Sequence, residues 1–217
     1  MDTPIQSYWQ KRLDNLKSAL EMNNFDVYLA DSAAHAKEVV LRDILPGIDV
    51  KSVSWGGSMT LDATGLCNYF KEKAAYDVID TFDRSVSGEE QMETRRQALL
   101  ADLFVAGTNA VTESGQLVNL DMIGNRIGGI TFGPKHVIIL LGRNKLTVDL
   151  DEAMFRIKNY AAPVNTMRLG MKTPCAKTSI CEECKSPQRI CNTWTITEKS
   201  FPKGRIKIVL INEDLGF

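Results

Sequence analysis

Apolar residues in this chain recur with two periods. From Pro4 to Asn23, Trp9, Leu13, Leu16, Leu20 and Met22 fall near helical spacing with Lys and Glu between them, which predicts an amphipathic helix. Phe25 to Ala30 reads as a short strand, and Asp31-Ser32 as the cap of a helix running to Ile44, ended by Pro46-Gly47. The alternation then repeats. Strands are predicted at Val50–Trp55, Tyr76–Asp80, Asp102–Ala106, Gln116–Leu120, His136–Leu141 and Ile206–Ile211. Helices are predicted from the Gly56–Thr60 turn to Lys73, from Ser87 to Ala101, at Ile127–Ile130, at Asp149–Tyr160 and at Pro163–Leu169. Strands alternating with helices in this way build right-handed βαβ units on a mostly parallel sheet flanked by helices, an α/β fold.

In such a sheet, ligands bind beyond the carboxyl ends of the strands. Four polar, glycine-containing or capping turns fall at that pole: Asp31-Ser32, Gly56–Thr60, Gly107–Glu113 and Gly142–Lys145. Residues 105–126 are the densest. An apolar run ends at Gly107, a polar cluster of Thr108, Asn109, Thr112 and Glu113 follows, Gly115 permits a turn, and Gly124-Asn125-Arg126 opens a helix. Backbone N–H groups and a cation brought together there suit an anion or a carbonyl.

The candidate residues follow from this placement. Gly56, Gly57, Ser58 and Thr60 form a loop that lets the backbone approach a phosphate or carboxylate; a tight turn with a Ser cap is the plainer alternative. It is not a P-loop, because no Gly-Lys-Ser/Thr follows. Gly107, Thr108, Asn109 and Thr112 are expected to contact ligand, and Glu113 is the candidate general base or nucleophile, against a hairpin turn with an exposed Glu. Asn125 and Arg143 are placed in the site by position, Arg for its planar fork. Arg126, Asn144 and Lys145 also supply donors, with a helix cap or loop brace as the alternative for Arg126 and Asn144 and solvated surface charge for Lys145. His35 and His136 lack partner patterns and are given no role, and Cys67 reads as a small core residue.

Composition adds limits. The 217 residues are 44% hydrophobic and 24% charged with a net charge of −1, and the pI is near 6.2. That suits one globular α/β domain over 1–217 and argues against a nucleic-acid binder. No apolar run reaches membrane-spanning length and no signal peptide is visible, so the cytoplasm is the expected compartment.

The cysteines change the picture more. Cys175, Cys181, Cys184 and Cys191 read C-x5-C-x2-C-x6-C inside a segment, 171–205, that looks like an appendage. Four thiolates so close suit a tetrahedral zinc site or an iron–sulfur cluster; two disulfides and four unligated thiols are the alternatives. The segment holds seven Lys or Arg against three Glu, a local +4 while the remainder carries −5. Such a patch fits docking to an acidic partner, or a solvated loop.

The run Gly-Thr-Asn-Ala-Val-Thr-Glu-Ser-Gly-Gln-Leu-Val-Asn, then Gly-Asn-Arg, then Gly-Pro-Lys-His-Val-Ile-Ile-Leu-Leu-Gly-Arg-Asn-Lys, closely resembles the LUD domain family, proteins similar to lactate utilisation protein C. The resemblance spans roughly residues 5 to 215. It implies a fold like that of the glucosamine-6-phosphate deaminase, ribose-5-phosphate isomerase and CoA-transferase group. It also implies work in lactate or organic-acid utilisation. The chain would bind a small anionic ligand or serve beside iron–sulfur redox proteins, with a homo-oligomer compatible and neither nucleic acid nor membrane expected. Two alternatives stand beside it: a sugar-phosphate isomerase or CoA-transferase-like enzyme using Glu113, and a metal-stapled interaction module. The cysteine segment lies outside the general LUD pattern.

Overall fold

The structure is a computed structural model that describes residues 3–217. Its strands are β1 (Asp26–Ala30), β2 (Ser52–Trp55), β3 (Asp77–Ile79), β4 (Leu103–Gly107), β5 (Ala110–Thr112), β6 (Leu117–Asp121), β7 (His136–Gly142), β8 (Leu146–Thr147), β9 (Thr193–Thr197) and β10 (Ile206–Ile211). Six of them form one sheet in the order β1-β10-β7-β4-β2-β3, every neighbouring pair parallel. The other four form a smaller mixed sheet, β8-β5-β6-β9.

The large sheet is buried on both faces, so its central strands read as continuous apolar runs. Alternation decides which core each residue feeds. Val137, Ile139 and Leu141 of β7 join Leu13, Leu16 and Leu20 of α1 (Pro4–Met22) on one face. Ile138 and Leu140 join the other face, beneath α2 (Ala33–Val39), α3 (Met59–Thr64) and α4 (Leu66–Glu72). β10 alternates likewise, with Ile208 and Leu210 on the first face and Val209 and Ile211 on the second. A third core joins Ala110, Val118 and Leu120 of the small sheet to Ala153 and Ile157.

The remaining helices are α5 (Gly88–Gln97), α6 (Asn125–Thr131), α7 (Leu150–Arg156), α8 (Ala162–Arg168) and α9 (Pro174–Thr178). Thr3 and Ser87 close capping boxes at the starts of α1 and α5. Among the described residues no helix is long and apolar enough to cross a membrane.

Several expected elements differ. The helix expected to end near Lys73 is broken at Gly65, whose φ of 68° is left-handed and ends α3 before α4 begins. The two helices expected at 149–160 and 163–169 are one run, α7 passing through a π-helical turn at Ile157–Ala161 into α8. The polar turn expected over 107–113 contains a strand, β5, which pairs antiparallel with β6. The cysteine segment is likewise more than loop, because β9 pairs along β6 from Thr193 to Thr197.

Candidate functional site

From β2 the chain moves outward to β3; from β4 it moves the other way, to β7. That reversal leaves a crevice at the carboxyl ends of β2 and β4, where open α/β sheets bind ligands. A cleft of about 440 Å³ opens there, lined by Gly57, Ser58, Gly107, Thr108, Asn109 and Asn125 among others. The α7–α8 run closes one side with Ile157, Ala161 and Arg168, and α5 another with Met92 and Arg95.

Two glycines are there because backbone and side chains meet closely. A Cβ on Gly107 would run into the Ser58 hydroxyl, and one on Gly56 would lie 2.7 Å from Arg126 Cγ. Ser58 itself caps α3, its hydroxyl accepting from Leu61 N at 3.2 Å.

Arg126 forms a buried wall of the cleft. Its Nε faces Asp121 Oδ2 at 3.2 Å. Nη1 donates to Gly107 O and Asn119 Oδ1, and Nη2 to Asn109 Oδ1 and Leu120 O. All five guanidinium N–H groups thus have protein acceptors, so Arg126 braces the loop rather than reaching for ligand. Burial holds its pKa below the usual range, with Asp121 opposing.

Lys145 is the opposite case. The sequence leaves it between a site donor and a solvated charge; the structure buries it to 4% exposure against the cleft, because the segment from Gly142 tucks under the C-terminal tail. Its Nζ donates to Thr60 Oγ1 at 2.9 Å, and among the described residues no carboxylate lies within ion-pair distance. Burial, with Arg156 and Arg126 nearby, pushes its pKa down to about 7. Arg95 and Arg168 add two further cations to the lining, and Arg95 has no hydrogen-bond or ion-pair partner among the described residues.

The structure therefore gathers part of the expected set. Gly57, Ser58, Gly107, Thr108, Asn109 and Asn125 line the cleft, while Gly56 and Thr60 stand directly behind it, against Arg126 and Lys145. Thr112, Glu113 and Arg143 are not brought there. β5 carries Thr112 away into the small sheet, where its hydroxyl accepts from Gln116 N. Glu113 ends beside α1, paired with Arg12 at 2.5 Å and half exposed. Arg143 pairs with Asp214 at 2.9 Å and stacks on Trp9. Reading the sequence named Lys145 as a donor without foreseeing its burial, and missed Arg95 and Arg168, for which no local motif gives a signal.

Cys175, Cys181, Cys184 and Cys191 line a second hollow of about 20 Å³, which shares Ala162 and Ile190 with the cleft. Cys67 packs in the second core, and burial pushes its thiol up to about 12, as suits a core residue. His136 sits at the far end of β7 from the cleft.

Known proteins agree with the fold. The model of the LUD domain family matches residues 13–211. A crystal structure of a DUF162 family protein from Deinococcus radiodurans matches with a TM-score of 0.51 at 10% identity, covering 94% of this chain and 97% of that one. At that identity the likeness is one of fold. The eIF2B delta structure from Chaetomium thermophilum matches at a TM-score of 0.29 and 19% identity over 51% of this chain and 48% of that one, too weak to carry an argument. No curated protein matches the chain.

Proposed function

This chain belongs to the LUD domain family, and from that premise we propose that it binds a small organic anion of the lactate or pyruvate class in the cleft between β2 and β4. Lys145 carries the reading. An ammonium buried without a carboxylate is unfavourable, and a ligand carboxylate would supply the missing counter-charge. The cleft has the capacity of small-molecule sites, roughly 300–1,000 Å³. Met59, Phe82 and Leu120 offer it apolar cover, and Arg95 and Arg168 offer planar donors for a carboxylate. On this reading the protein serves lactate or organic-acid utilisation as a ligand-binding component, beside iron–sulfur redox proteins.

Calorimetric titration with lactate, pyruvate and inorganic phosphate tests it. Wild type should bind a carboxylate, and Lys145→Met should bind it at least tenfold more weakly. Equal affinities in the two proteins would overturn the assignment of the cleft. Unchanged growth on lactate after deletion of the gene would remove the metabolic role.

A further inference from the structure

The four clustered cysteines come from separate places: Cys175 from α9, Cys181 and Cys184 from the loop after it, and Cys191 from the approach to β9. All four nevertheless line the one small, largely enclosed hollow. We propose that this hollow seats a [4Fe–4S] cluster, each of the four thiolates ligating one iron.

The spread of the thiols points away from a single ion. Four sulfurs about 2.3 Å from a zinc ion leave no room for a water-sized sphere between them. Here the space is about 20 Å³, a little more than the roughly 10–15 Å³ that admits one water, so the thiols stand around a gap, and the loops that carry them move apart to seat the cluster. Among the described residues, no three His, Cys, Asp or Glu side chains are grouped so as to hold one metal ion. Thiols set around a gap suit a larger inorganic core, which four cysteines hold. All four are free thiols, with no disulfide among them.

The surroundings fit the same occupant. Thr173 Oγ1 lies 3.3 Å from Cys175 Sγ, so one hydroxyl is placed to donate to a ligating sulfur, while the Thr166 hydroxyl, 3.6 Å away, already donates to Pro163 O. Lys158, Arg189 and Glu182 line the hollow; Lys158 pairs with Glu183 at 2.7 Å, which leaves Arg189 as the cation that offsets the negative charge of a tetrathiolate cluster. Arg189 also ties the last two cysteine loops together, donating to the carbonyls of Cys184 and Cys191 at 2.9 Å each. Ala162 and Ile190, which line both spaces, place the cluster beside the anion cleft. The inference stands on the cysteine hollow alone and does not need the anion reading.

The test is anaerobic reconstitution of the full chain with ferrous iron and sulfide, followed by iron, sulfide and zinc analysis and a visible spectrum. The expected result is about four irons and four sulfides per chain, with a broad brown absorbance that bleaches on reduction with dithionite. Cys184→Ala should lose iron, whereas Cys67→Ala, altered in the distant core, should keep it. Reconstituted wild type without iron, or holding zinc without sulfide, would overturn the proposal whatever the variants do. So would equal loss of iron from Cys67→Ala and Cys184→Ala when both remain folded by circular dichroism.

Discussion

The Thr60 hydroxyl donates to the Leu215 carbonyl at 3.1 Å and accepts from the Lys145 amine at 2.9 Å. Thr60 thus joins the lysine to the C-terminal tail, and its single hydrogen bond leaves Lys145 with donors to spare. Gly216 is part of the same packing. A Cβ there would lie 2.7 Å from the Thr60 oxygen and 3.3 Å from Lys145 Nζ, at a φ of 68°.

Lys145 should make stability rise with pH. Its folded pKa of about 7 lies below the ordinary 10.5. Above 10.5 the amine is neutral in both states and nothing is lost. As pH falls from 10.5 towards 7 the unfolded chain takes up a proton that the folded chain refuses, so stability drops, by at most about 1.4 kcal/mol per pH unit. Below 7 both forms are charged and the slope ends. Urea unfolding at pH 7, 8, 9 and 10 should show the slope in wild type and its loss in Lys145→Met. A slope equal in both proteins would refute it.

Binding of a carboxylate should carry the opposite dependence. The ligand favours the protonated amine, so above pH 7 binding takes up a proton and affinity falls by up to about tenfold per pH unit. Calorimetry of pyruvate or lactate in two buffers of different ionisation enthalpy measures that uptake directly. Zero uptake at pH 8 would count against Lys145 as the ligand's partner.

The Arg126 brace should be among the most sensitive points of the fold. Arg126→Met leaves Asp121 buried at 8% side-chain exposure without its cation and removes a donor from Gly107 O, Leu120 O and the Asn109 and Asn119 side-chain oxygens, the two Asn oxygens each keeping one backbone N–H. Breaking a buried pair in this way costs about 3–5 kcal/mol, or roughly 6–20 °C in Tm for a chain of this size. Asp121→Asn should cost less, since its amide oxygen can still accept from Gly124 N, as Asp121 Oδ1 does at 3.1 Å. Calorimetric melting of both variants gives the order.

Glu113→Gln should leave ligand affinity unchanged and move stability by no more than about 1 kcal/mol, as for other exposed pairs, because its partner is Arg12 with both side chains solvent-accessible. A large loss of any turnover in this variant would restore the enzyme reading built on Glu113.

Gly142→Ala should loosen the tail over Lys145. A Cβ at Gly142 would lie 2.7 Å from both Glu213 O and Leu215 N, backbone atoms that cannot turn aside. Faster hydrogen exchange at the Arg143 and Leu215 amides, which bond to Glu213 O and Asn144 Oδ1, would register the shift.

How much of this could be read in advance depends on where the information lies. β7 and β10 are buried on both sides, so their apolar runs are visible in the sequence, and Ile206–Ile211 is a strand at the predicted bounds. The glycine turns at 56–57 and 107 were legible because close approach demands glycine whatever surrounds it. Thr193–Thr197 was not, since it is a partly exposed edge strand whose partner β6 lies far back in the chain. Lys145 was hidden for a related reason. Its burial depends on Thr60, 85 residues earlier, and on the C-terminal tail, and no local pattern records either. Glu113 misled through nearness in sequence: a three-residue strand was enough to carry it from the cleft rim to α1.

The cleft draws its lining from residues 57–59, 82, 92–95, 107–109, 120–126, 145, 157–169, 190 and 217, segments spread over most of the chain. No excised fragment can keep such a hollow. Occupancy by a ligand therefore reports whether the whole polypeptide has reached its native arrangement, and a saturating anion should raise the melting temperature of the entire molecule as one cooperative unit.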